Sequence, residues 1–459
     1  MKKILFTVAA TMLLYSCGVY KKYSRPADIE SSTASLYRGA ATESTDSVNS
    51  LGALGWREIF TDKCLQRLID SALVRNTDLR VARLRVGEAE AGLKAARLAY
   101  VPSFGFAPNG AVNSFDYSKP AWLYTVPVTA SWQVDVFGGL TAAKRRAKAS
   151  YECSQDYQEA VQTQVVAAVA NSYYTLLALD AQAEIARTTA KSWGEIVETM
   201  RLLKDAGMGN EASVRQMEAS YYAVSSMVHN IEHQQFVVEN AINVILAEPS
   251  TTITRSTLDE QKMPEKLFTG IPVSLLSARA DVRAAEKSLM QAFYGVNASR
   301  AALYPALNLS GAVGWTNNVG SAIVNPGSLI WNAALSLFQP IFQNGQLRAR
   351  LKISKLQAEQ ALLLFKQKIL EAGNEVNNNL EQIVTARKKA SLIGSQVDAL
   401  TAAAQSTELM MEHGSATYLE VLVARQSLLE AQMGQCQNTL AYVQGVVNLY
   451  ISLGGGVRE

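Results

Sequence analysis

Apolar residues recur three or four positions apart through much of the second half of the chain: Ala358, Leu362, Phe365, Ile369, Ala372, Val376, Leu380, Ile383, Ala386, Ala390, Ile393, Val397 and Leu400. This is the heptad-like seam of a long amphipathic helix. It predicts a helix from about Gly345 to Met411, on the order of 100 Å long at 1.5 Å per residue. The pattern breaks around Gly414-Ser415, after which Tyr418, Leu422, Arg425 and Leu429 carry a return helix, so the segment reads as an antiparallel hairpin. Prolines stand at 26, 102, 108, 120, 127, 249, 264, 272, 305, 326 and 340, which leaves residues 128–248 and 341–459 free of them. Both stretches are therefore open to long helices. In the first, Lys204 to Asn210, with Gly207 and Gly209, makes the equivalent tip. Taken alone, such helices would equally suit a water-soluble coiled-coil spacer.

A different period governs the segments before the helices. Leu307, Leu309, Gly311, Val313 and Trp315 alternate with Asn308, Ser310, Ala312, Gly314 and Thr316, as in a strand with one apolar face. Beyond Pro326-Gly327, Leu329, Trp331, Ala333, Leu335 and Leu337 alternate with Asn332, Ala334 and Ser336. The earlier counterpart sets Phe104 and Phe106 against Gly105 and Ala107. It then sets Trp122, Tyr124, Val126, Val128, Ala130, Trp132 and Val134 against Thr125, Thr129, Ser131, Gln133 and Asp135. Two hairpins, four strands in all, are predicted. No charged side chain lies between Arg300 and Arg348, and only Asp116, Lys119 and Asp135 are charged between Pro102 and Val136. A sheet packed on the helices would also alternate, but it would usually carry Lys or Glu on its wet face. Strands of about ten residues with aromatics toward their ends match a transmembrane β-barrel. Four strands cannot close one, because bacterial barrels start at about eight. Two chains would give eight strands and a filled interior, and three would give twelve and a lumen.

The two halves repeat the same order of parts at an offset of about 205 residues. Arg97 to Pro102 lies over Arg300 to Pro305, Val136 to Gly139 over Ile341 to Gly345, Met208-Gly209-Asn210 over His413-Gly414-Ser415, and Ile242-Asn243 over Val447-Asn448. A unit of this length is a duplicated domain rather than a solenoid repeat. The expected organisation is a signal peptide over residues 1–16 and a lipid-anchored N-terminal segment over 17–60. A first repeat follows over 61–249, with strands about 103–136 and a helical hairpin about 138–248, and a linker spans 250–275. The second repeat covers 276–453, with strands about 306–341 and a hairpin about 343–452, and a tail covers 454–459.

Composition narrows the function. Forty-three Lys and Arg against 40 Asp and Glu give a net charge of +3, and loss of Lys2 and Lys3 with a signal peptide would leave about +1. Neither nucleic acid nor a polybasic membrane contact is indicated. Lys2-Lys3 and the apolar run Ile4 to Tyr15 form an export signal too short for a comfortable membrane helix, and no later run is long enough for one. Leu14-Tyr15-Ser16-Cys17 resembles a bacterial lipobox, which would make Cys17 the lipidated first residue of the mature chain. An ordinary signal peptide or an uncleaved anchor is the alternative. Cys64, Cys153 and Cys436 are odd in number and widely spaced, so buried unpaired thiols are expected rather than a disulfide framework or metal cluster.

The duplicated strand-and-hairpin order, the Pro102 and Pro305 junctions, the Phe137-Gly138-Gly139 strand exit and the tip Gly414-Ser415-Ala416-Thr417-Tyr418-Leu419-Glu420-Val421-Leu422 together carry a family resemblance over about residues 54 to 453. The chain resembles the TolC family of outer-membrane efflux proteins, and most closely its lipoprotein branch serving resistance-nodulation-division pumps. The resemblance implies a mainly α fold with a small β part: a homotrimer sharing a twelve-stranded outer-membrane barrel continued by a twelve-helix periplasmic tunnel. It further implies an equatorial region built partly from residues 17–60 and 250–275, a periplasmic adaptor, an inner-membrane pump that supplies the energy, and passive conduction by a chain that is not an enzyme and needs no cofactor beyond the lipid on Cys17. Met208, Gly209, Asn210, His413, Gly414 and Ser415 fall where the family touches its adaptor, and they equally serve to reverse the chain. Glu420 falls at a position of the family's acidic gate ring, where three carboxylates on one axis would repel and favour cations. It could equally be a solvated helix residue. Val423 stands where a second acidic residue is often found. Met410 and Met411 read as packing.

The three histidines, 229, 233 and 413, form no nucleophile-base pair. His229 and His233 have the spacing of a helical metal pair but lack a nearby third ligand, so they read as a surface pair. A duct for type I protein secretion would share this fold, whereas a lipid-anchored scaffold would have no pore. Gly18 after Cys17 lacks the acidic residue that often retains lipoproteins at the inner membrane.

Overall fold

A computed structural model describes residues 20–26, 54–114, 116, 119–261, 279–316 and 327–456. Cys17 and the signal segment lie outside the described residues, as does most of the 17–60 and 250–275 equatorial expectation. In chain order the elements are α1 Trp56–Ile59, α2 Lys63–Arg75, α3 Thr77–Leu98, β1 Ser103–Phe106, β2 Asn109–Asn113, β3 Ala121–Val134, α4 Gly139–Asp205 and α5 Glu211–Leu246. They continue with α6 Ala280–Ala301, β4 Ala306–Thr316, β5 Ser328–Phe338, α7 Gln346–Glu412 and α8 Tyr418–Ser452. The chain is mostly helical with a smaller strand portion, and it divides into two units.

The first unit comprises residues 1–30, 84–156 and 283–368 and holds the sheet. Its strands run antiparallel in the order β1, β3, β4, β5, with β2 also paired to β3. The four expected strands are thus five segments in four rows. The first row is interrupted at Ala107-Pro108, where proline can donate no ladder hydrogen bond. The alternation holds across the whole sheet because residues directly opposite one another share a face. Phe106 faces Val128, Val128 faces Val313, and Val313 faces Trp331; one row away Trp132 faces Leu309, which faces Leu335. Thr129, Ala312 and Asn332 form the matching line on the other side. Leu123, Pro127, Ile330 and Phe338 are the larger apolar exceptions on that polar side.

The second unit comprises residues 31–83, 157–282 and 369–459 and is helical. Its main core gathers Trp56, Phe60, Leu65 and Ile69 with Tyr173, Tyr174, Val376, Val446 and Tyr450. Asp62 starts α2 by accepting from Cys64 N at 2.7 Å. Asn76 starts α3 by accepting from Leu79 N at 3.0 Å, and donates to Ile245 O at 2.8 Å. Along α7, Phe365, Ile369, Ala372, Val376, Ile383 and Ala386 are buried as the seam requires, whereas Ala390 is exposed. Cys64, Cys153 and Cys436 are free but only half-buried, not buried as expected, and the Cys153 thiol donates to Ala284 O at 3.3 Å within the first unit.

The duplication is real, but its offset is not uniform. Helices α3 and α6 both span 22 residues and start 203 apart, at Thr77 and Ala280. Helices α4 and α7 both span 67 residues and start 207 apart, at Gly139 and Gln346. The step arises at the strand exit. Gly138 and Gly345, both at positive φ (73° and 78°), precede the long helices, and more residues separate Gly345 from the end of β5 than separate Gly138 from the end of β3. In the first repeat Asp135 fixes the new helix by accepting from Leu140 N at 2.9 Å and Thr141 N at 2.8 Å.

Candidate functional site

Two regions carry functional character: the exposed apolar face of the sheet, and the turns joining the long helices.

On the sheet, Phe104, Phe106, Trp122, Val128, Leu309, Val313, Trp315, Leu329, Trp331, Leu335 and Leu337 are all exposed. An apolar patch of this extent is not left in water by a stable protein. The opposite face carries Thr125, Thr129, Ser131, Gln133, Asn308, Ser310, Asn332 and Ser336, several tied to neighbouring backbone. Thr129 Oγ1 donates to Gly105 O at 3.2 Å, and Ser336 Oγ to Asn308 O at 3.3 Å. Trp132 sits near one end of the face, its Nε1 donating to Tyr100 O at 3.0 Å, while Trp122 and Tyr124 lie toward the other end of β3. A band of aliphatic residues edged by such aromatics is the lipid-facing pattern of an outer-membrane strand set. Among the described residues the outermost rows, β1 with β2 on one side and β5 on the other, each pair on one side only.

The tips lie in the second unit. Between α4 and α5, Gly207 takes φ +78°, and the chain closes with Gly207 N donating to Lys204 O (2.9 Å) and Met208 N to Leu203 O (2.8 Å). Between α7 and α8, Gly414 takes φ +68°, with Gly414 N donating to Met411 O (2.9 Å) and Ser415 N to Met410 O (2.7 Å). These are paired Schellman-type closures. They match Gly414 with Gly207 rather than with Gly209. Gly209 is instead constrained by space, since a Cβ there would come within 3.2 Å of Lys204 N. Asn210 caps α5 by accepting from Ser213 N at 2.9 Å. Met208 is 77% exposed, and His413 turns its Nδ1 back to Leu409 O at 2.7 Å.

Glu420, at the third position of α8, is exposed and accepts from Thr417 N at 2.7 Å. It supplies the carboxylate half of a capping box. Val423 is exposed, and Tyr418 Oη reaches Gln216 Oε1 at 3.5 Å. Two networks near the tips had no sequence signal. Arg425 joins Glu408 and Ser192, and Arg201 and Arg215 converge on Glu218. Hydrogen bonds from Arg201 in the first place hold the Glu218 carboxyl below its ordinary range. Further from the tips, Arg255 pairs with Asp180 and Glu239, and buried Arg279 with Asp281 and Glu375. Among the described residues no three His, Cys, Asp or Glu side chains form a metal cluster, and no helix is long and apolar enough to cross a membrane.

The family described as outer membrane efflux protein matches residues 68–248 and 271–455, and the chain belongs to it. The cation efflux system protein CusC of Escherichia coli K12 is 26% identical, over 99% of each chain. The solvent efflux pump outer membrane protein SrpC of Pseudomonas putida is 27% identical over 97% of each. The open-state outer membrane channel MtrE of Neisseria gonorrhoeae superposes with a TM-score of 0.84 at 26% identity, covering 95% of this chain and 98% of that one. This chain is an outer-membrane efflux channel protein.

Proposed function

We propose that three copies of the chain close their sheets into one twelve-row barrel and their helices into a periplasmic tunnel, forming a passive exit duct. The supporting observation is the sheet: one face apolar and exposed, the other polar, and, among the described residues, each outermost row paired on one side only. Left open, such edges invite aggregation, and closure with neighbouring copies removes them. An inner-membrane pump of the resistance-nodulation-division class supplies energy, and a periplasmic adaptor docks on the tips around Met208, Gly209, Asn210, His413, Gly414 and Ser415. Cys17 carries the lipid anchor, and Glu420 contributes a carboxylate to a narrow periplasmic end.

The named cargo of the relatives ranges from cations to solvents, which fits a duct whose selectivity lies in the pump. The test is planar-bilayer conductance of detergent-purified protein, with oligomer mass measured on the same sample. Small cation-selective steps from a trimer support the duct. A well-folded monomer without a pore would favour a lipid-anchored scaffold instead.

A further inference from the structure

Helix α5 carries two of the chain's three histidines, His229 and His233, one turn apart and therefore on the same face. Both are exposed, with the His229 side chain 81% accessible. His229 Nδ1 lies 3.1 Å from Glu232 Oε2. An ionised carboxylate can only accept, so in the neutral imidazole this contact favours the tautomer with the proton on Nδ1 and the lone pair on Nε2. Glu232 is itself held from α4, Arg187 Nη2 donating to its Oε1 at 2.9 Å. A carboxylate behind one imidazole, fixed in turn by a guanidinium, is the supporting arrangement that orients histidine ligands in metal sites. The sequence spacing alone lacked this feature.

We infer that His229 and His233 form a chelating site for a divalent transition cation of borderline hardness, taking Cu²⁺ ahead of Ni²⁺ and Zn²⁺. Imidazole suits these ions, and the order follows their general affinity trend. Calcium and magnesium are excluded by chemistry, because they require a set of oxygen ligands. Glu232 is already engaged by Arg187 and His229, so water completes the coordination. The site belongs to α5 and its α4 support.

The experiment uses tag-free full-length protein in detergent, titrated with Cu²⁺ alone and followed by calorimetry and electron paramagnetic resonance. One Cu²⁺ per chain with two-nitrogen coupling is expected. His233→Gln removes the chelate and lowers affinity at least tenfold, and Glu232→Gln lowers it about 10- to 100-fold. His413→Gln leaves binding unchanged. His229, His233 and His413 are exposed on the chain and Glu232 is half-buried, and circular dichroism and oligomer size should match wild type in every variant. Equal binding by wild type and the His229→Gln/His233→Gln double variant overturns the site, as does loss of binding in His413→Gln.

Discussion

Arg425 of α8 donates from Nη2 to both carboxylate oxygens of Glu408 on α7, at 2.7 and 2.6 Å, while its Nη1 reaches Ser192 on α4 at 2.6 Å. One guanidinium thus ties the two helices of the second hairpin to the first hairpin. Its Nε is buried and has no partner, so the three remaining bonds must compensate for that desolvation. Arg425→Met keeps the stem and removes every bond. It is expected to cost about 2 kcal/mol, in the range for charged, partly buried hydrogen bonds. Amide exchange should accelerate in the last turns of α7 and the first turns of α8. Unchanged exchange there would mean that the tip is held by packing alone.

The centre of the sheet has its own steric requirement. Gly314 on β4 faces Pro127 on β3, and a Cβ at 314 would lie 2.6 Å from Pro127 Cα and closer still to Val126 O. Both obstacles are backbone, so neither can swing aside. Gly314→Ala is expected to break the β3–β4 ladder and abolish membrane-inserted oligomer, read as loss of the oligomer band on semi-native gels. Gly311→Ala, where the nearest atom is Asn332 O at 3.3 Å, should be milder.

These two sites mark where sequence reading succeeds and where it stops. The strands are legible because each residue's face follows from its parity, so Trp132, Leu309 and Leu335 fall on apolar faces whatever their pairing. The long helices were legible from their seam and from the absence of proline. Position-by-position correspondence between the repeats was not. Gly209 invites alignment with Gly414, yet left-handed backbone falls at Gly207, because the strand exit of the second repeat is longer and shifts everything after it. Arg425 was invisible for a different reason. It reads as one more residue of the return helix, and its partners lie 17 and 233 positions away in the chain.

The turn glycines give a clean backbone test. Gly207 and Gly414 are left-handed with open space around the missing Cβ, so alanine introduces strain without a clash. Each substitution is expected to cost about 1 kcal/mol, the penalty of left-handed backbone for a residue with a Cβ. Asparagine, which tolerates that region, should recover part of it. Thermal unfolding of Gly414→Ala and Gly414→Asn, measured in the same detergent, checks the order.

Asp62 links stability to pH. Burial alone would raise its carboxyl, but hydrogen bonds from Ser256, Tyr173, Cys64 N and Gln261 outweigh burial and hold it below the usual aspartate range. A depressed folded value means that the contribution is fully present above the ordinary aspartate value near 4 and is lost as pH falls through the lower folded value. Asp62→Asn should therefore destabilise the protein at neutral pH, with the gap from wild type shrinking below about pH 4. Tm measured against pH for both proteins tests the sign. A gap independent of pH would assign the effect to helix capping through Cys64 N rather than to charge.

Glu420 serves a cap and a proposed gate at once, and the two roles can be separated chemically. Its carboxylate accepts from Thr417 N at 2.7 Å, a bond that glutamine can also make. Its charge, repeated three times around an axis, is what would select for cations. Glu420→Gln is therefore expected to leave stability within about 0.5 kcal/mol of wild type while weakening cation selectivity in planar bilayers. Glu420→Ala should lose that selectivity and also about 1 kcal/mol of helix-end stability. Full cation selectivity retained in both variants would confine Glu420 to the cap and move any gate elsewhere on the tips. Selectivity lost only in the alanine variant would trace the effect to a frayed α8 terminus rather than to the carboxylate charge.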